Sequence, residues 1–557
     1  MPTVKLNKQV FEKLVGKKLP FEELKDRISM LGTDLEGIDG NEIDVEVFPN
    51  RPDMLSEQGF ARAFSSFIGV KTGLREYNIN EGEKDYRVMI DRSVQSVRPY
   101  TACAIIKGMK FDDEKIREII QIQEKLHVTY GRNRKKTAIG IYPLEKIKLP
   151  IRYVGRNPKD VSFRPLEFPK VIRADTIIEL HPTGKEYAHL LEGMDVYPFF
   201  IDAQDNVLSM PPIINSHETG KITGSTEDVF VECSGFDFRT LSTCLNIIVT
   251  AMADMGGKVY SVKLTYPDSE SRTPDLTPSS MDLTSDFVNR RLGLNLDDDE
   301  LCIHLKRMGY GAEKGKGVVD VLVPAYRADV MHRVDLVEDI AISFGYENFE
   351  EEIPQVATVG EADSFERFKA RTANIIVSLG FLETNTYHLS NEDEQCGKML
   401  SDIRFVPLAN ALTDDYNILR AWMLPSLLIV LSNNKHHDYP QNIFEMGTVF
   451  KEDKSTETGV SEPDKLAVTL CGNDSDYTKI KQVLDVIISA LDMDVYTDNM
   501  DHPSFIPGRA AKVVVNNKEI GVIGEIHPQV LENFSIETPV AALELDISAL
   551  FALRYPL

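Results

Sequence analysis

The stretch Val323-Pro324-Ala325-Tyr326-Arg327-Ala328-Asp329-Val330-Met331-His332-Arg333-Val334-Asp335-Leu336-Val337-Glu338-Asp339-Ile340 decides the reading of this chain. From about His332 to Phe344 its spacing predicts a helix. Leu336, Ile340 and Phe344 recur along one stripe, and Gly345 supplies a stop. Asp335, Glu338 and Asp339 then stand at i, i+3 and i+4 and share one face. Like charges at those spacings repel by roughly 0.2–0.5 kcal/mol per pair on an exposed helix, unless a cation or a dipole relieves them. With Asp329 just upstream as a fourth oxygen donor, the set suits Mg²⁺, which keeps several waters and takes only one or two direct carboxylates. An acidic first turn complementing the helix dipole accounts for the same spacing without a metal.

Working outward, this helix closes a segment over about 270–346. It follows a polar stretch, Tyr266 to Ser280, that reads as a linker. Asp297 and Glu300 form a capping box, Leu301, Leu305 and Met308 a stripe ending near Gly309, and Val318 to Val323 a strand. Two helices and short strands fit a small helix-rich, winged-helix-like module. Upstream, over about 90–265, a strand from Thr101 to Ile106 precedes a helix from Asp113 to His127. Gly131 stands where a C-terminal cap is wanted. Gly131-Arg132-Asn133-Arg134-Lys135-Lys136 is then the densest basic run in the chain, either an RNA contact or a solvated patch. Over about 1–85, a small α/β module holds the Pro49-Asn50-Arg51-Pro52-Asp53 loop, with Ser56 and Gly59 starting a helix into Phe60 to Phe67.

Downstream, over about 360–557, a helix from Ser364 to Leu379 is closed by Gly380. Strands are predicted at Ile443 to Phe444, Leu466 to Leu470, Lys512 to Val515, Ile520 to Ile523 and Ala541 to Leu545, with a hairpin turn at Asn516-Asn517. An antiparallel sheet backed by helices results, so the fold class is α+β and multidomain.

At 557 residues the chain exceeds one core, and about three to five domains are expected. A net charge of -25 excludes a dedicated nucleic-acid coat; no DNA partner is expected, and any RNA contact uses local basic patches. Six cysteines without a CxxC pair suggest neither a zinc ribbon nor a disulfide framework and fit a reducing cytoplasm. Met1 to Lys18 shows no cleavable hydrophobic region, and no run of about 18 apolar residues occurs, so a cytoplasmic protein outside the membrane is expected.

Val-Pro-x-Tyr-Arg-x-Asp-x-x-His-x-x-Asp-Leu-x-Glu-Asp, followed by Phe344-Gly345-Tyr346, resembles the signature of the phenylalanyl-tRNA synthetase β subunit of the archaeal and eukaryotic cytosolic type. The resemblance implies that Asp329, Asp335, Glu338 and Asp339 help bind Mg²⁺ together with a separate α subunit. It extends through Pro49 to Asp53, Arg98-Pro99-Tyr100, His181-Pro182, Gly184 to His189, and Leu208 to Ser216, in the family's order. Nearly the whole chain is covered.

The region over 90–265 is similar to the family's mixed α/β editing domain, which hydrolyses tyrosine misattached to tRNA for phenylalanine. Asn215, Ser216 and Thr219 are candidates for its hydrogen bonds, and Glu232 or Asp237 for its carboxylate. Relatives of this type often read Gly-x-Asp-x-Thr, whereas Gly235-Phe236-Asp237-Phe238-Arg239-Thr240 puts arginine where threonine is expected. Arg239 is expected to pair with Asp237 and weaken editing. His127 and Trp422 read as packing residues.

Leu419 to Leu427 and Asn442 to Gly447 resemble the β subunit's catalytic-like domain, of class II synthetase fold. No strand ending in Glu-Arg or Asp-Arg appears there to hold ATP phosphates. The resemblance therefore implies an (αβ)₂ heterotetramer that attaches phenylalanine to tRNA(Phe) with ATP. It places the synthetic site on α, and scaffold, editing and a shared Mg²⁺ site on this chain, as expectations. A free-standing deacylase of mischarged tRNA and an RNA-binding scaffold without hydrolysis are the alternatives; a stoichiometric synthetase-like partner separates them.

Overall fold

The computed structural model describes residues 2–353 and 358–555. Met1 and residues 556–557, at the ends of the first and fourth expected segments, lie outside the described residues. The chain divides into two compact units, Met1–Ile353 and Pro354–Leu557.

In the first unit, strand Thr3–Asn7 runs into helix Lys8–Val15, whose opening N–H groups bond the Asn7 side chain. Strands Glu42–Glu46 and Asp34–Asp39 complete a small antiparallel sheet. After one 3₁₀ turn at Pro52–Met54, Ser56 caps helix Glu57–Phe67 by accepting from Gly59 N at 3.0 Å, as the sequence predicts.

The centre of the unit is a sheet of eleven strands. Its hub is Lys258–Thr265, which pairs parallel with Ile79–Asn80 and Arg87–Ile90 and antiparallel with Tyr100–Lys107 and Glu270–Thr273. The last of these corrects the linker expected from Tyr266 to Ser280. Glu270–Thr273 is a strand of this sheet, and Ser279–Leu283 begins the next. The Thr273 hydroxyl accepts from Cys103 N at 2.9 Å and donates to Cys103 O at 2.7 Å. Backbone pairing, Thr273 and the ion pairs Glu270 with Lys263 and Arg272 with Glu81 hold this segment to the sheet, so its sequence carries no apolar alternation to announce a strand.

Helix Phe238–Asp254 packs on the sheet through Leu241, Leu245, Ile248 and Met252, each worth roughly 1.5–3 kcal/mol when fully buried. The same cluster continues through Phe60, Leu126, Leu301, Leu305, Leu336 and Ile340. The segments expected over 1–85, 90–265 and 270–346 therefore share one core. The last of them carries three helices, Ser285–Leu292, Asp298–Arg307 and Arg333–Phe344, where the sequence predicts two. Ser285–Leu292 fully buries only Val288, with Phe287 and Leu292 partly covered, and its two turns are too short for a recurring apolar stripe. The Asp297–Glu300 capping box is present. Gly131 is not a helix cap: helix Asp113–Val128 ends at Thr129. Glycine is required at 131 because a Cβ there would lie 2.7 Å from Thr137 O.

In the second unit Asp363 caps helix Ser364–Ser378, and Gly380 follows it at φ 87°. The predicted strands fall within Gln441–Thr448, Asp464–Cys471, Phe505–Val515, Lys518–Ile526 and Val540–Asp546 of a seven-stranded sheet. Pairing is antiparallel except where Leu382–Glu383 runs parallel to Gln441–Thr448. Asn516 and Asn517 turn the hairpin at φ 50° and 61°, the left-handed pair that a two-residue connection demands. Among the described residues no helix is long and apolar enough to cross a membrane.

Candidate functional site

The acidic helix forms as expected, over Arg333–Phe344, with Leu336 and Ile340 in the core. Its carboxylates do not share one face. Asp339 is buried and faces Arg327, whose Nη2 lies 2.7 Å from Asp339 Oδ2; Tyr310 OH donates to the same oxygen. Asp329 grips the same guanidinium through bonds of 2.8 and 2.7 Å. Burial alone would raise the Asp329 pKa, but Arg327 holds it below the usual carboxylate range. Asp335 turns back on its own helix start: Oδ2 accepts from Met331 N at 2.8 Å and His332 N at 2.7 Å. Glu338 is exposed, with Oε1 accepting from Tyr346 OH at 2.8 Å.

The four carboxylates expected for Mg²⁺ thus divide into two pairs. Asp329 and Asp339 are neutralised from within the chain, while Asp335 and Glu338 each keep one oxygen with no hydrogen bond among the described residues. No group of three or more His, Cys, Asp or Glu is placed to hold a metal ion among the described residues. The four expected donors are therefore not brought to one point, and Asp335 and Glu338 are the two that keep an oxygen open.

Beside Arg327 stands a second buried ion pair, Arg51 with Asp53, joined by bonds of 2.9 and 2.8 Å. Arg51 is close enough to feel both Arg327 and Asp329. The Pro49 to Asp53 loop and the Tyr326 to Asp329 loop, far apart in sequence, are thereby halves of one alternating charge network.

Asn215 and Ser216 lie together at the edge of the large sheet, at the end of strand Ile214–Asn215. Tyr142 OH donates to Glu232 Oε1 at 3.0 Å and sits 3.4 Å from Asn215 Oδ1. Burial pushes the Glu232 carboxyl up to about 8. Gly140 makes room for this contact: a Cβ there would lie 2.0 Å from Tyr142 OH and 2.5 Å from Glu232 Oε1. Ser216 is buried, its hydroxyl 3.3 Å from Glu218 Oε2, and Thr219 donates to Val207 O at 3.0 Å. No local sequence signal marks Tyr142 as part of this cluster. Only the pairing of Thr137–Pro143 with Val229–Gly235 brings it to Glu232.

Asp237 is elsewhere. It is exposed and caps helix Phe238–Asp254, accepting from the Thr240 hydroxyl at 2.6 Å and Thr240 N at 2.7 Å, which hold its pKa below the usual range. No hydrogen bond or ion pair joins it to Arg239 among the described residues; the expected pairing is reduced to a longer-range attraction, with Arg239 and Lys136 near enough to help hold that pKa down. Within the basic run, Arg134 turns inward. It donates to Pro212 O at 3.3 Å and Ile213 O at 2.8 Å and lies 4.3 Å over the Tyr187 ring, which fixes the segment leading to Asn215. His127 packs in the core and accepts from Ile139 N. In the second unit Arg420 is buried against Glu445 at 2.7 Å, and Glu544 accepts from Met423 N and Leu424 N.

Residues 281–346 match the tRNA synthetase B5 domain and residues 349–547 the phenylalanyl tRNA synthetase beta chain CLM domain. The phenylalanine–tRNA ligase beta subunit of Pyrococcus abyssi is 40% identical over 559 residues, covering 99% of this chain and 100% of its own. That of Archaeoglobus fulgidus is 39% identical, covering 99% of each. The crystal structure of an N-terminal fragment of the Pyrococcus horikoshii phenylalanyl-tRNA synthetase beta subunit superposes with a TM-score of 0.59 at 36% identity. It covers 62% of this chain and 99% of the fragment. Fold and sequence together define a component of an aminoacyl-tRNA ligase. Within that class, the chain belongs to the family of phenylalanine–tRNA ligase beta subunits.

Proposed function

We propose that this chain works in an (αβ)₂ assembly that joins phenylalanine to tRNA(Phe) using ATP, with the ATP and phenylalanine sites on the α subunit. The observation that carries this reading lies in the second unit. Arg420 is spent on Glu445, Thr386 and Thr448, and Glu544 on a helix start and Lys465. These charged groups serve the fold, and the sequence offers no strand ending in Glu-Arg or Asp-Arg to hold a nucleotide phosphate. Pyrophosphate exchange tests it: the isolated chain should give none, and co-expression with a smaller α chain should restore it. Exchange at an ordinary synthetase rate by this chain alone overturns the assignment.

Two further roles belong to the same reading. Asn215, linked through Tyr142 to Glu232, and its neighbour Ser216 serve hydrolysis of tyrosyl-tRNA, which needs positioned donors more than a strong nucleophile. Asp335 and Glu338 offer Mg²⁺ two oxygens, the remaining ligands coming from water and α.

A further inference from the structure

We propose that a cleft between the loop at 129–136, the start of helix Phe238–Asp254 and the segment 327–331 grips the phosphates of a single RNA strand. The cavity there measures about 1000 Å³. Lys125, Arg132, Lys136, Arg239 and Arg327 line it; among the described residues Glu124 is the one acid on its wall, and Asp237 behind it is near enough to feel Arg239 and Lys136. Four of these cations, Lys125, Arg132, Lys136 and Arg239, have no ion-pair partner among the described residues. The chain holds 87 acidic residues against 62 basic ones, so chance placement favours neutralised cations. Four left unpaired around one cavity make a local positive field inside an acidic protein, the arrangement a polyanion needs.

The backbone serves the same end. Arg132, Asn133 and Arg134 are consecutive left-handed residues, at φ 47°, 51° and 62°, a conformation costing roughly 1–2 kcal/mol per residue. Bonds from Asn133 N to Val128 O, Arg134 N to His127 O and Lys136 N to Gly131 O hold it. The turn puts Arg132 and Lys136 on the cleft while Arg134 reaches the carbonyls before Asn215. One loop thus joins the cleft to the Asn215 and Ser216 cluster. The floor is apolar: Val128 and Met331 are 53% and 64% exposed, beside Tyr130. A free phosphate has no use for that surface, whereas an unpaired base stacks on Tyr130 and covers the apolar side chains beside it. Arg239, at the position of the family's departure, supplies a phosphate contact here.

The choice of RNA over other polyanions rests on the function proposed above; the electrostatic site does not. The test is fluorescence anisotropy of a short labelled single-stranded RNA with the full chain, without ATP or amino acid, as salt rises. A variant with Lys125→Gln, Arg132→Gln, Lys136→Gln and Arg239→Gln should lower the slope of log affinity against log salt by about 0.7 per lost contact, ~2–3 in all. A charge-matched control, Lys454→Gln, Lys479→Gln, Lys481→Gln and Lys518→Gln, should leave it unchanged. Equal loss in both variants, or no loss in the first, overturns the site. Val128→Ser with Met331→Ser should weaken RNA binding and spare inorganic polyphosphate; if RNA binding is untouched, the assignment to RNA fails. Failure of the ligase reading would show instead as no phenylalanylation with α, whatever this binding experiment gives.

Discussion

Arg327 lies 2.7 Å from Asp339 and is twelve residues upstream of it, tying the loop before the acidic helix to the helix's own second turn. Both side chains are almost wholly buried, and the guanidinium serves Asp329 as well. Arg327→Met leaves two carboxylates unpaired in the interior, and breaking such a pair typically costs about 3–5 kcal/mol. Urea unfolding followed by circular dichroism should show that loss; a change under ~1 kcal/mol would mean the network is not structural.

Asp335 and Glu338 should behave differently from Asp339. Asp335→Ala removes acceptors from two helix-start N–H groups, for about 0.5–2 kcal/mol, while exposed Glu338→Ala stays within about 0.5 kcal/mol. The double variant should stay folded yet bind Mg²⁺, or α in its presence, more weakly by calorimetry. Unchanged metal binding and assembly would leave Asp335 a helix cap and Glu338 a surface residue.

Stability should fall as pH rises through about 8, and Glu232 should carry part of the change. Its folded pKa of about 8 lies above the ordinary 4.5. Between those values the folded chain keeps a proton that the unfolded chain has released. The contribution is therefore full at acid pH and lost on titration through 8, at up to ~1.4 kcal/mol per pH unit. Glu57, also raised to about 8 by burial, adds its own share. Unfolding free energies across pH 5 to 9 should be flatter in Glu232→Gln; an identical profile would place its pKa near the ordinary value.

For tyrosyl-tRNA clearance by the assembled enzyme, Ser216→Ala should lower the deacylation kcat by about tenfold or more. Arg239→Thr frees no carboxylate, because Asp237 already caps its helix through Thr240. It should raise KM for tRNA and leave kcat alone. A higher kcat in Arg239→Thr would restore the idea that Arg239 obstructs the site.

At the hairpin, Asn517→Gly should be neutral or stabilising by up to about 1 kcal/mol, and Asn517→Val destabilising, since φ 61° suits glycine and strains a β-branched residue. Thermal unfolding of the full chain decides it; a tolerant Val variant would contradict the turn geometry.

That turn, the capping box at Asp297 and the C-terminal strands were legible because their signals are local: a dipeptide, a three-residue spacing, an alternation. The acidic helix was legible as a helix but not as a charge arrangement. Arg327 and Tyr310, which claim Asp339, reach it from outside the helix, so spacing along one face cannot reveal them. Asn215 and Ser216 are brought together by simple adjacency, whereas Tyr142 reaches Asn215 from the opposite end of the strand order, a contact no local spacing can show. Nearness in sequence predicts Arg239 as the partner of Asp237, but a helix cap takes that carboxylate through Thr240.

The hub strand Lys258–Thr265 also sets an order of events on the ribosome. Ile79–Asn80, Arg87–Ile90 and Tyr100–Lys107 all wait for a partner encoded far downstream. At about 5–20 residues per second, the intervening stretch takes ~10–40 s to emerge. Through that interval the early strands present open edges, and the nascent chain must be kept from pairing with its neighbours until the hub arrives.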